Sequence, residues 1–191
     1  MAAVVKPSVN SLPVFSNISD ECDTDPETVW HNNGKAMVLA GLANLQIEAR
    51  DEVSGKSLTG HGWKADVLFS FQRRTIAIEL QRSYQHLREY IRRQERYAQS
   101  NIECYWLIRY EQFIPLSKAT SRLLLKRDYQ NIFPPQGIGT GSLPELPVSI
   151  LVAGHKQPVQ FGLGKAATVS EWLAGIINRT YQYRDGSWNL G

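Results

Sequence analysis

The sequence predicts one α/β domain with C-terminal additions. Three observations predict it. A helix-like segment opens at Pro26 after Asp25, two β-rich runs flank a short loop at residues 72–74, and a strongly helical stretch from Ser83 leads into an apolar strand at Ile102.

The elements follow in order. Residues 1–24 are polar, with Ser, Pro and Asn and no clear period, and read as a loose arm. Asp25-Pro26-Glu27 is a helix start, because proline at the first helical position lacks an N–H that would go unpaired anyway. The helix is expected to reach Asn44 despite Gly34 and Gly41. Leu45–Ala49 reads as a short strand and Asp51–Gly62 as a turn region. Trp63–Phe71 and Thr75–Gln81 form a hairpin. Ser83 to Gln99 carries Tyr84, Leu87, Ile91 and Ala98 at helical spacing, and Ile102–Arg109 is a strand. Ser117–Arg127 looks helical, Pro134–Pro147 is a Pro/Gly-rich loop, and Val148–Ala153 is strand-like. Thr168-x-x-Glu171 is a capping box opening a helix through Ile177. The expected organisation is an arm at 1–25, a core at 26–115, and an extension at 116–191 packed on the core.

With 191 residues, 42% apolar and 20% charged, the composition is that of a globular protein. Two cysteines make no disulfide framework, and no zinc pattern is visible. No apolar run is long enough to span a bilayer, and Met1–Asp20 lacks a signal-peptide pattern, so a cytoplasmic protein without membrane contact is expected. The net charge of +3 says little. Its distribution says more: Arg82, Arg88, Arg92, Arg93 and Arg96 stand against Glu89 and Glu95 in one short stretch, a strip suited to phosphate.

The hairpin carries the chemistry. Strand side chains alternate, so Ala65, Val67, Phe69 and Phe71 are expected on one face and Lys64, Asp66, Leu68 and Ser70 on the other. Ile76, Ile78 and Leu80 form the apolar set of the second strand, opposite Thr75, Ala77, Glu79 and Gln81. If the loop is the two residues Gln72 and Arg73, Asp66 faces Glu79 and Lys64 faces Gln81, and a loop one residue longer still leaves the two carboxylates near neighbours. Directly opposed β-carbons lie about 4.5–5.5 Å apart, and like charges there destabilise a sheet. A hard divalent cation, Mg²⁺ or Mn²⁺, resolves such a pair and also binds phosphate.

Asp66-Val67, then Ala77-Ile-Glu-Leu-Gln-Arg-Ser83, then an Arg/Tyr helix at Arg92–Tyr97 and a strand with Trp106, resembles the PD-(D/E)XK nuclease superfamily, and within it the competence-protein CoiA-like branch. The resemblance covers roughly residues 26–110. It implies a restriction-endonuclease-like core: helix, three-strand meander, helix, strand. The implied activity is metal-dependent hydrolysis of phosphodiester bonds in DNA, RNA remaining open. Asp66, Glu79, Gln81 and Glu48 are the implied catalytic residues, and Asp66, Glu79, Glu48 and Glu27 the implied ligands of Mg²⁺ or Mn²⁺. Nucleic acid would be held by His31 and Lys35, which share a helix face with Glu27, and by Lys64, Arg88, Arg92 and Arg96. Gln81 stands where the superfamily often has lysine, so it can orient a water but adds no charge. The alternative is a nuclease scaffold without catalysis that binds nucleic acid or a protein. The extension at 116–191 matches nothing in the family and would offer a surface for a homodimer or another protein.

Overall fold

The computed structural model describes residues 3–7, 13–17, 26–135, 137, 142–162 and 164–191, with backbone alone before residue 28. Within the N-terminal segment, β1 (Ala3–Pro7) and β2 (Pro13–Asn17) pair as an antiparallel hairpin. Both strands lie within the segment 1–25 expected to be an arm.

The rest is a layered α/β structure. Helix α1 (Pro26–Asn44) is followed by the antiparallel meander β3 (Ala49–Lys56), β4 (Gly62–Phe71) and β5 (Arg74–Gln81). Helix α2 (Leu87–Gln99) crosses to β6 (Ile102–Ile108), and α3 (Tyr110–Asp128) crosses to β7 (Val148–Leu151); both crossovers give parallel pairs. Strands β8 (Val159–Phe161) and β9 (Lys165–Ala167) extend the same sheet by antiparallel pairing. Among the described residues the sheet thus has seven strands in chain order, and the C-terminal segment supplies three of them. Helix α4 (Val169–Ile177) and the hairpin of β10 (Tyr181–Arg184) and β11 (Ser187–Leu190) complete the chain.

The two sheet faces are covered by different helices. One core joins Val38 and Leu42 of α1, Trp172, Leu173 and Ile176 of α4, and Val67, Phe69, Ile76, Ile78 and Leu80 of the hairpin. The other joins Tyr90 and Tyr97 of α2, Leu116 and Leu124 of α3, and Leu68, Ala77, Cys104, Trp106 and Ile108 of the sheet. Strands β5 and β6 are buried on both faces and read as near-continuous apolar runs, as the interior of an α/β sheet requires. The glycines of α1 serve close packing: a Cβ on Gly34 would run into Leu80 and Leu151, and one on Gly41 into Leu173 at 2.9 Å.

Several boundaries differ from the sequence expectation. Leu45–Ala49 is mostly a turn, and the strand lies at Ala49–Lys56, where Ser and Gly suggested a turn region. This is an edge strand, half exposed, so burial does not demand an apolar pattern. Gly55 is needed because the Trp63 ring lies across it. Helix α3 starts at Tyr110, before the expected Ser117, and tolerates Pro115 in its second turn.

Candidate functional site

The β4–β5 register is the one a two-residue loop dictates. Phe71 pairs with Arg74, and the ladder runs to Val67 opposite Ile78. Continued one step past the last pair, that register sets Asp66 across from Glu79. There the strand departs from simple alternation. Ala65 belongs to the α2-side core and Val67 to the α1-side core, although both are odd-numbered and were expected on one face. Asp66 Oδ2 accepts a hydrogen bond from the Leu80 N–H at 2.7 Å, so the carboxylate replaces a ladder carbonyl between the strands. On the other side, Glu52 sits opposite Asp66 with φ of 54°, between the Asp51–Val67 and Val53–Ala65 pairs. The irregular backbone on the edge strand and the in-plane carboxylate on its neighbour coincide.

Helix α1 brings its polar end over this point. His31, Lys35, Val38 and Leu42 follow helical spacing, the last two anchoring the helix on the sheet. His31 Nε2 lies 3.1 Å from Asp66 Oδ1. That hydrogen bond pushes the His31 pKa up. For Asp66, burial favours the neutral form, but the hydrogen bonds from His31 and the Leu80 N–H outweigh it and hold the carboxyl below its usual range. One turn on, Lys35 Nζ donates to Glu52 Oε1 at 2.7 Å, and Lys64 pairs with the same carboxylate. Those two ammonium groups, Lys35 first, bring the Glu52 pKa down to about 2.

Glu79 has the opposite environment. It is 1% exposed, and burial, with the charge of Asp66 beside it, pushes its pKa up to about 7 against the attraction of Arg93. Arg93 Nη2 donates to Glu79 Oε2 at 2.6 Å, and the Tyr97 hydroxyl donates to Oε1. Both donors come from one face of α2, four residues apart. Arg93 in turn lies over the Trp106 ring, 4.6 Å from its centre, and Trp106 is held by its Nε1–H donating to Gln94 at 2.7 Å. The site therefore pairs an acid held ionised, Asp66, with a neighbour that titrates near neutrality.

Gln81 ends β5 with both halves of its amide engaged. Its Oε1 accepts from Arg93 Nη1 at 3.0 Å, and its Nε2 donates to the Ser83 carbonyl at 3.0 Å. Asp66, Glu79, Gln81, His31, Lys35 and Lys64 are thus brought to one end of the hairpin. Glu48 is not. It precedes β3 and lines a groove with Ser70, Phe71 and Gln72 at the loop end. That is about 13 Å along the strand from Asp66 at a rise near 3.3 Å per residue. The cause is the late start of β3, and Glu52 occupies the place expected of Glu48. Glu27 lies in the first turn of α1, its side chain outside the described residues. Arg92 and Arg96 line a groove with Lys56, Lys64 and Trp63 beside the site, whereas Arg88 points to solvent and is not among its lining residues.

The sequence placed Arg93 in the basic strip and Tyr97 in the Arg/Tyr helix but gave neither the role of holding Glu79; their four-residue spacing was the usable signal. Glu52 had no signal, because its segment reads as a turn.

Among the described residues, no group of three or more His, Cys, Asp and Glu side chains is gathered for a metal ion. Mg²⁺ asks for less: it commonly takes one or two carboxylates and keeps its waters. The adjacent Asp66 and Glu79 carboxyls, hard oxygen donors of which Glu79 has its pKa raised by burial and then by the charge of Asp66, suit that demand.

The fold and site are those of an α/β protein whose meander carries two adjacent acids and whose next helix clamps one of them. The family model for the competence protein CoiA nuclease-like domain matches residues 27–130, more than half of the chain, and the chain belongs to that family. No curated protein and no solved structure matches it. Among the described residues, no helix is long and apolar enough to cross a membrane.

Proposed function

We propose that this protein is a metal-dependent nuclease that hydrolyses phosphodiester bonds of DNA. Family membership supports a nuclease-type function, and the observation that carries the proposal is the contact between Asp66 and Glu79. One carboxyl is held ionised by His31 and a backbone N–H, and the other is poised near neutral pH by burial. Asp66 and Glu79 would hold Mg²⁺ or Mn²⁺, which lowers the pKa of a bound water and neutralises charge developing on phosphate. Arg93 and Tyr97 fix the Glu79 carboxyl, and Trp106 fixes Arg93. Gln81 can turn its amide toward a water only by releasing Arg93 or Ser83. His31, Lys35 and Lys64 set positive charge beside the acids for the scissile phosphate.

One observation favours a second reading, a scaffold that binds nucleic acid without cutting it. Each of the four carboxylate oxygens of Asp66 and Glu79 already accepts from a protein donor or faces one. Cleavage of single- and double-stranded DNA with Mg²⁺ or Mn²⁺, beside calorimetry of Mn²⁺ uptake, separates the two. The nuclease reading expects cutting and metal uptake, both lost in Glu79→Ala and Asp66→Asn. Wild-type protein that binds DNA but neither takes up Mn²⁺ nor cuts would establish the second reading.

A further inference from the structure

The turn joining β3 to β4 ends in Leu58, which is 94% exposed. Single exposed leucines are ordinary on protein surfaces. This one differs in how its turn is built and in what lies behind it. The Ser57 N–H donates to the His61 carbonyl at 2.8 Å, and the Gly60 N–H to the Ser57 carbonyl at 2.9 Å. Ser57, itself buried, has its Oγ 2.8 Å from Thr59 Oγ1 and accepts from the His61 N–H at 3.2 Å. Thr59 Oγ1 also lies 3.0 Å from His61 Nδ1 and donates to Gln99 Oε1 at 3.0 Å, tying the tip to the end of α2. Below it, the Trp63 Nε1–H donates to Ser100 Oγ at 3.0 Å. The polar groups of the turn satisfy one another and the helix, and its apolar side chain is held outward.

Behind the tip lies a groove of about 510 Å³ between the hairpin and α2. Lys56, Lys64, Arg92, Arg93 and Arg96 line it against one carboxylate, Glu89, with Trp63 and Tyr97 as aromatic walls. Its far end is the Glu79 clamp, since Arg93 and Tyr97 belong to both. From Gly62, at the foot of the turn, to Asp66 is about 13 Å of strand. A cationic channel with aromatic walls suits a single nucleic-acid strand, whose phosphates meet the cations while bases meet the rings. An apolar side chain on a rigid tip suits insertion at a base step, where leucine and similar wedges unstack neighbouring bases.

We propose that Leu58 is a strand-separating wedge and that the substrate is a junction between duplex and single-stranded DNA. The tip parts the first base pair, and one freed strand lies along Lys56, Arg96, Arg92 and Lys64 toward Asp66 and Glu79. This rests on the nucleic-acid reading of the site, and it selects a class of DNA structure that reading leaves open.

The test uses the full chain and a forked DNA with 2-aminopurine at the first paired position, in EDTA so that no cutting occurs. Binding should raise the fluorescence as the base unstacks. Leu58→Ser should cut that gain by about fivefold or more, the size expected when a wedge worth part of a base-step unstacking is removed. Its affinity for a single-stranded oligonucleotide of the same length should stay within about twofold, because the groove contacts are untouched. The double variant Lys56→Ala/Arg96→Ala should weaken binding of both DNAs. Leu58 makes no buried contact, so circular dichroism and melting temperature should match wild type. An unchanged fluorescence gain in Leu58→Ser overturns the proposal, as does equal loss of affinity for fork and single strand. Cleavage in Mg²⁺ is scored separately. A Leu58-dependent gain without cleavage sinks the nuclease reading and leaves the wedge, whereas cleavage with a Leu58-independent gain does the reverse.

Discussion

Arg93 reaches from α2 to Glu79, its Nη2 2.6 Å from Oε2, while its guanidinium rests on the Trp106 ring at 4.6 Å. One cation thus offsets a buried acid and is itself fixed by an aromatic face. A lysine has neither the planar fork nor the stacking surface to do both.

Arg93→Met should therefore act on stability and on activity. Removing one partner of a buried ion pair costs about 3–5 kcal/mol where the other stays charged. Since Glu79 titrates near 7, the loss should be larger at pH 8 than at pH 5, measured by urea denaturation. Arg93→Lys should be intermediate. If the DNA cleavage proposed above is measured, kcat should fall about 10–100-fold with a smaller change in KM, the pattern of a residue that orients a ligand-bearing group. Equal stability losses at both pH values would sink the assignment.

The pH dependence of stability follows from two groups with raised values. The folded Glu79 pKa, about 7, exceeds its ordinary 4.5, so the folded state binds the proton more tightly. Its contribution is complete at low pH and declines as pH rises from about 4.5 through 7. His31 acts in the same sense: its pKa is raised, so its stabilisation is present below its ordinary 6.5 and is lost as pH climbs through the folded value. Asp66 opposes only at acid pH, where its depressed pKa makes stability fall as pH drops through that value. Without divalent ions, melting temperature should therefore decline between about pH 5 and pH 8. Glu79→Gln, which cannot titrate, should flatten that decline; an unaltered slope would contradict the assignment.

Gly55→Ala tests the packing behind the groove. The added Cβ would fall on the Trp63 ring, which is also held by Ser100 and packed 5.5 Å from Tyr97. Overpacking of this kind costs about 1–3 kcal/mol, read as a lower urea midpoint. Gly60→Ala, where a Cβ would meet open space, separates this clash from the backbone strain of φ at 82°.

Thr168→Ala is a control remote from the site. Thr168 accepts from the Glu171 N–H at 3.1 Å, and Glu171 accepts in return from the Thr168 N–H at 2.8 Å. Loss of the cap should cost about 1 kcal/mol in chemical denaturation. DNA binding should not change, since α4 lies on the sheet face opposite α2.

Much of this arrangement was legible in the sequence, for local reasons. Pro26 after Asp25 marked α1, Thr168-x-x-Glu171 marked α4, and the two-residue loop set the β4–β5 register and so brought Asp66 beside Glu79. Alternation and turn length act over a few residues, so sequence spacing suffices to read them. The tertiary structure alone decided what those acids became. Whether Glu79 is buried depends on α2 closing over it, 14 residues away, and whether Asp66 stays ionised depends on His31, 35 residues away. The exchange of Glu48 for Glu52 is of the same kind: an edge strand with little burial leaves no apolar period to fix its start, so its place is set by pairing with β4. Spacing determined which carboxylates would meet; burial and distant donors, which only packing creates, determined that one of them is held ionised and the other poised near neutrality.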